Sequence, residues 1–109
     1  MTPIEMLDQQ SERAAALCDR AIKAWGAEAQ MRHSMGELAE LIVAIEHWFQ
    51  GRYTAKDEVR EEFGDVMSML SQIQCMHFTP AEVRQAFTRS LDKLEQKLVG
   101  HEAKRGGEG

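Results

Sequence analysis

The sequence predicts an all-α protein, and three observations carry that prediction. Its 109 residues are rich in Ala, Glu, Leu, Met and Gln, with 6% aromatics and two prolines, a composition that favours helix over strand. Both prolines sit inside the same signature, "TPIE" at 2–5 and "TPAE" at 79–82. In each, Thr serves as N-cap, Pro occupies the first helical position, and Glu stands where a capping box needs its acid. Between the two signatures, apolar residues recur at three- and four-residue spacing, as amphipathic helices require.

Four helices follow in order. The first starts at Thr2 and runs to about Ala24, with an imperfect apolar stripe of Ile4, Leu7, Ala14, Leu17, Cys18, Ala21 and Ile22. "WG" closes it, with Gly26 expected in a left-handed cap. The second covers about Glu28 to Gln50 and ends at Gly51. "GRYT" then turns the chain to Thr54, which has Asp57 three residues on and opens a third helix to about His77. The fourth begins at the Thr79 cap and extends to about Val99. The last stretch, "GHEAKRGGEG" at 100–109, carries glycine and charge with little to bury and is expected to be disordered. The length fits a single all-α domain over 1–109.

Composition also excludes function classes. With 18 acids against 13 lysines and arginines, the net charge is −5, and no long basic run offers a footprint for nucleic acid. The opening "MTPIEMLDQQSER" is too polar for a secretory leader, and no apolar run approaches the length that spans a bilayer. A soluble cytoplasmic protein is the expectation. Cys18 and Cys75 lie far apart in sequence without a C-x-x-C pattern, so free thiols are expected.

The stretches "GELAE" (36–40) and "EEFGD" (61–65) each place two acids three residues apart among apolar neighbours. On the second helix Met31, Met35, Leu38, Ile42, Ile45 and Phe49 form the apolar stripe, within roughly 60° of helix surface. Glu37 and Glu40 lie to one side of it, on a flank that also carries Leu41, Ala44 and Trp48. On the third helix Val59, Phe63, Val66, Leu70 and Ile73 form the stripe, with Glu62 and Asp65 on the flank shared with Met69 and Met76. A short turn between the two helices predicts an antiparallel hairpin that brings both pairs to similar heights. Four carboxylates gathered beside apolar surface repel one another and lose hydration unless a cation neutralises them.

Oxygen-only ligands suit Mg²⁺ or Mn²⁺. Neither Cys nor His sits at zinc-ligand spacing, and none of the four histidines completes the Glu-x-x-His of a di-iron bundle. Each pair taken singly reads first as a solvated helix face, and only two pairs on facing helices bring the metal site level with that reading. His33, His47 and His77 read as core-edge or surface residues.

The series "GELAELIVAI", a loop, then "DEVREEFGDVMSML" resembles the MazG-like all-α nucleoside triphosphate pyrophosphohydrolases, whose signature is E-x-x-E on one helix and E-x-x-D on the next. Here those positions are Glu37, Glu40, Glu62 and Asp65. The likeness extends from "WGAEAQ" to "SLDKLEQKL", about residues 22 to 98, with Gly36 where many members have a further glutamate. The resemblance implies a four-helix bundle with a central antiparallel hairpin, completed by oligomerisation as a homodimer or homotetramer. It implies Mg²⁺-dependent hydrolysis of a nucleoside triphosphate to the monophosphate and pyrophosphate, in nucleotide-pool control or housecleaning. It further implies contacts to the nucleoside from Trp25 and Gln30 and to the triphosphate from Arg89 and Lys93. The alternative is a non-catalytic helical interaction module whose acids are solvated.

Overall fold

The computed structural model describes residues 10–108; the expected first cap at Thr2 and Pro3 lies outside them. Among the described residues there are four α-helices and no strand, as the composition predicts: α1 (Ser11–Trp25), α2 (Ala27–Phe49), α3 (Ala55–His77) and α4 (Pro80–Glu108). The chain falls into two compact units, the first ending at His77 and the second beginning at Phe78.

Within the first unit α1 breaks from α2 at one residue. Gly26 has φ 91° and ψ 151°, donates its N–H to the Ile22 carbonyl at 2.8 Å, and accepts from the Gln30 N–H at 3.2 Å. That conformation is extended in the mirror-image sense instead of the left-handed helical cap expected, and it belongs to glycine because a Cβ cannot adopt it without strain. A single residue thus ends one helix and starts the next.

α2 and α3 form the antiparallel hairpin that the short turn predicts. At its closed end His47 Nδ1 lies 2.7 Å from Glu58 Oε2, and the Thr54 hydroxyl donates to Glu58 Oε1 at 3.0 Å. Thr54 is therefore engaged with Glu58, four residues on, while Asp57 pairs with Arg60 at 2.7 Å. The His47 hydrogen bond, followed by that from Thr54, holds the Glu58 carboxyl below its ordinary range.

The seam of the hairpin differs from the expected one. Buried or half-buried residues on α2 include Gln30, Ser34, Glu37, Leu41 and Ala44, with His47 at the closed end; on α3 they include Ala55, Val59, Glu62, Val66, Met69 and Ile73. Both sets advance by steps of three and four, the spacing of a packed helix pair. The α2 stripe expected to be core is instead outside: Ile42 is 68% exposed and Phe49 83%, with Met31, Met35, Leu38 and Ile45 also exposed. Phe63 and Leu70 of the expected α3 stripe are exposed too, while Val66 is buried. The helical wheel identifies the face that avoids water, but small side chains decide which faces meet. Ser34, Ala44 and Ala55, at 2–4% exposure, let the two backbones approach on the acidic flank. α1 closes on this hairpin through Cys18, itself buried.

The second unit is the α4 helix. Thr79 and Glu82 form the predicted capping box, each side chain bonded to the other's N–H at 3.1 Å. The helix does not stop at Val99 but continues to Glu108 through the stretch expected to be disordered. Glu102, Ala103, Lys104 and Arg105 are good helix formers, and no proline interrupts them. Gly100 and Gly106 weaken the helix by about 1 kcal/mol each without breaking it.

Two outcomes are expected from this architecture. Gly26→Ala forces a side chain into a glycine-only conformation and should lower stability by about 1–3 kcal/mol, read as a lower urea midpoint at unchanged m-value. Glu58→Gln should lower the thermal midpoint at neutral pH. Because the folded-state pKa of Glu58 is depressed, its contribution is present above the unfolded-state value, 4.5, and is lost as pH falls through the folded one. The gap between parent and variant should therefore close on acidification, and a gap independent of pH from 7 to 3 would refute the ion-pair origin.

Candidate metal centre

The hairpin register brings three of the four sequence-predicted acids together. Glu37, Glu40 and Glu62 each offer a carboxylate oxygen, and these oxygens all lie within 4.8 Å of one another. Glu37 and Glu40 project from adjacent turns of α2, and Glu62 from the α3 turn that runs alongside. Glu40 is exposed, whereas Glu37 and Glu62 are seam residues and half-buried. Asp65 lies one turn further along α3, outside that trio, and lines a cleft together with Glu37.

The trio is electrostatically unresolved. His33 Nε2 lies 3.2 Å from one oxygen of Glu37, whose side chain is only 14% exposed. Its other oxygen, Oε2, is buried with no hydrogen-bond partner, and so is Oε2 of Glu62. Orphaned buried acceptors of this kind are uncommon in folded proteins, and two of them within one acidic cluster are groups that a cation could satisfy. Glu62 shows the same stress in its titration. Loss of hydration, a hydrogen bond shared with Glu40, and the charges of Glu40, Asp65 and Glu37 together push its carboxyl above the ordinary range. The donor set of hard oxygens fits a small divalent ion such as Mg²⁺ or Mn²⁺.

Beside the acids the cleft has a volume of about 590 Å³, within the range of small-molecule sites. Trp25, at the end of α1 and 69% exposed, stands on its rim. Gln30, at the start of α2 and 6% exposed, forms part of its wall. Both were singled out from sequence, and both line the same cleft as Glu37 and Asp65. Arg89 and Lys93 stand one turn apart on α4, in the second unit, and are exposed.

Three cleft residues escape a reading of the sequence. His33, which the sequence suggests is an edge residue, lines the cleft and contacts Glu37. Ser68 and Gln72 lie three and seven residues beyond Asp65, on its face of α3. Gln72 Nε2 reaches Met69 Sδ at 3.7 Å, while its Oε1 is buried without a partner. Extending the Asp65 register at three- and four-residue steps would have found both. Comparison of the chain with models of protein families, with curated proteins and with solved structures finds no match to any of them.

Proposed function

We propose that the hairpin binds Mg²⁺ and that the protein is a nucleoside triphosphate pyrophosphohydrolase of the MazG-like kind, cleaving a (d)NTP to its monophosphate and pyrophosphate. The observation that carries this reading is the trio of carboxylates within 4.8 Å, with two of its buried oxygens unpartnered. Glu37, Glu40 and Glu62 would hold the ion, with Asp65 joining from the cleft side; Mn²⁺ suits the same donors. When bound, the ion supplies neutralisation of phosphate charge and a more acidic water. No protein nucleophile is required. The chain's own residues position the substrate: the Trp25 indole offers a stacking face, and the Gln30 and Gln72 amides offer hydrogen bonds to a base edge. His33 holds Glu37 in place.

The exposed apolar rows support self-association as a homodimer or homotetramer. Met35, Leu38, Ile42, Ile45 and Phe49 on α2 leave one chain with more apolar surface than it covers. Phe87, Leu91, Leu94 and Leu98 on α4 follow the steps of a helix seam and are each about half exposed.

Glu40→Gln and Asp65→Asn should each lower pyrophosphate release at least about 100-fold in a screen of common and deoxy triphosphates, since each removes an anionic ligand while keeping shape. The parent should gain thermal stability on adding Mg²⁺, by about 2.7 kcal/mol at one hundred times the dissociation constant, and the variants should gain less. In chelator the variants should match or exceed the parent. A parent that shows neither Mg²⁺ stabilisation nor pyrophosphate release returns the chain to the alternative of a helical interaction module.

Ile42→Glu places a charge in the α2 row without touching the acids. Sedimentation should then show the assembly dissociating to monomer at micromolar concentration. A parent already monomeric under those conditions would rule out the oligomer.

A further inference from the structure

Cys18 and Cys75, remote in sequence, meet where α1 crosses α3. Cys18 is 2% exposed, and its Sγ lies 3.6 Å from the main-chain carbonyl oxygen of Gln72. In an α-helix that carbonyl points along the axis into the turn carrying residue 75, whose side chain leans back toward it. Cys75 is near enough to act electrostatically on the Cys18 thiol, and both thiols are free. Cys75, unlike its neighbour, is exposed.

We propose that Cys18 and Cys75 are a modification site: a thiol pair that closes to an intramolecular disulfide tying α1 to α3 when it meets a low-molecular-weight disulfide. The exposed member starts the exchange. The Cys75 thiolate attacks one sulfur of the oxidant, forming a mixed disulfide and expelling one thiolate. Cys18 then gives up its proton, and its sulfur attacks the Cys75 sulfur and displaces the second small thiol. The protein loses two hydrogens, and the oxidant is reduced to two thiols. This division of labour follows from burial, which keeps the Cys18 thiol protonated above its usual range and out of reach of a bulky reagent. Cys18 also stands seven residues before Trp25, on the same face of α1. The bond would therefore fix the helix that carries the rim of the cleft. It needs no metal and stands whether or not the acids bind one.

The test is incubation of the full chain with oxidised glutathione, read by intact mass and thermal denaturation. The expected product is a single chain lighter by two hydrogens, with no retained glutathione, and with a thermal midpoint higher by about 10 °C, since the bond closes a long loop of the unfolded chain. Dithiothreitol should restore both mass and midpoint. Cys18→Ser should stop the exchange at a glutathione adduct on Cys75. Cys75→Ser, changed at an exposed site that leaves the core intact, should show neither mass change nor thermal shift. A stable glutathione adduct on the parent, a disulfide-linked dimer, or an unreacted parent would each overturn the proposal.

Discussion

Carboxylates at the seam of a helix hairpin are the constraint on which the first unit turns. Glu37 and Glu62 occupy positions where two packed helices ordinarily place aliphatic side chains, and with Glu40 their oxygens converge within 4.8 Å. Such a seam lacks the hydrophobic gain that usually holds a hairpin together. The remaining attraction comes from small and apolar seam residues on either side of the acids, and from the His47–Glu58 pair that closes the turn. Any cation that satisfies the buried oxygens adds its binding free energy directly to the stability of the hairpin.

That seam has a consequence for the rest of α2. A helix cannot present its apolar stripe and its acidic flank to the same partner. By packing α3 on the flank, the chain leaves Met35, Leu38, Ile42 and Phe49 facing outward. Surface of this kind in a helical protein ordinarily meets another protein. The acidic centre and the exposed row are two results of one orientation of the helix about its axis.

α1 gives the hairpin its third side. Gly26 lets α1 end and α2 begin without an intervening loop, which puts Trp25 on the same cleft as the wall residue Gln30 and the acids Glu37 and Asp65. Further back, Cys18 seats α1 on α3 next to Gln72, whose side chain faces the cleft. Movement of α1 against α3 therefore alters the Trp25 rim and the Gln72 wall together.

The sequence by itself determined the elements and the chemistry each could carry. The Thr79–Glu82 capping box, the break at Gly26, the turn at Gly51 and the all-helical class depend on neighbours a few residues apart, so local rules suffice. The pairing of Glu37 and Glu40 on one helix and Glu62 and Asp65 on the next was legible for the same reason, as was the value of a short turn for bringing them level. Tertiary structure alone decided which helix faces met. An amphipathic wheel ranks faces by their affinity for water, but close approach is won by small residues such as Ser34, Ala44 and Ala55, and this put the expected core stripe outside. It also decided that Glu62 is stressed, that Gln72 lines the cleft and that Cys18 meets Cys75. Each of those depends on a partner supplied by another helix, a distance that no local spacing in the chain encodes.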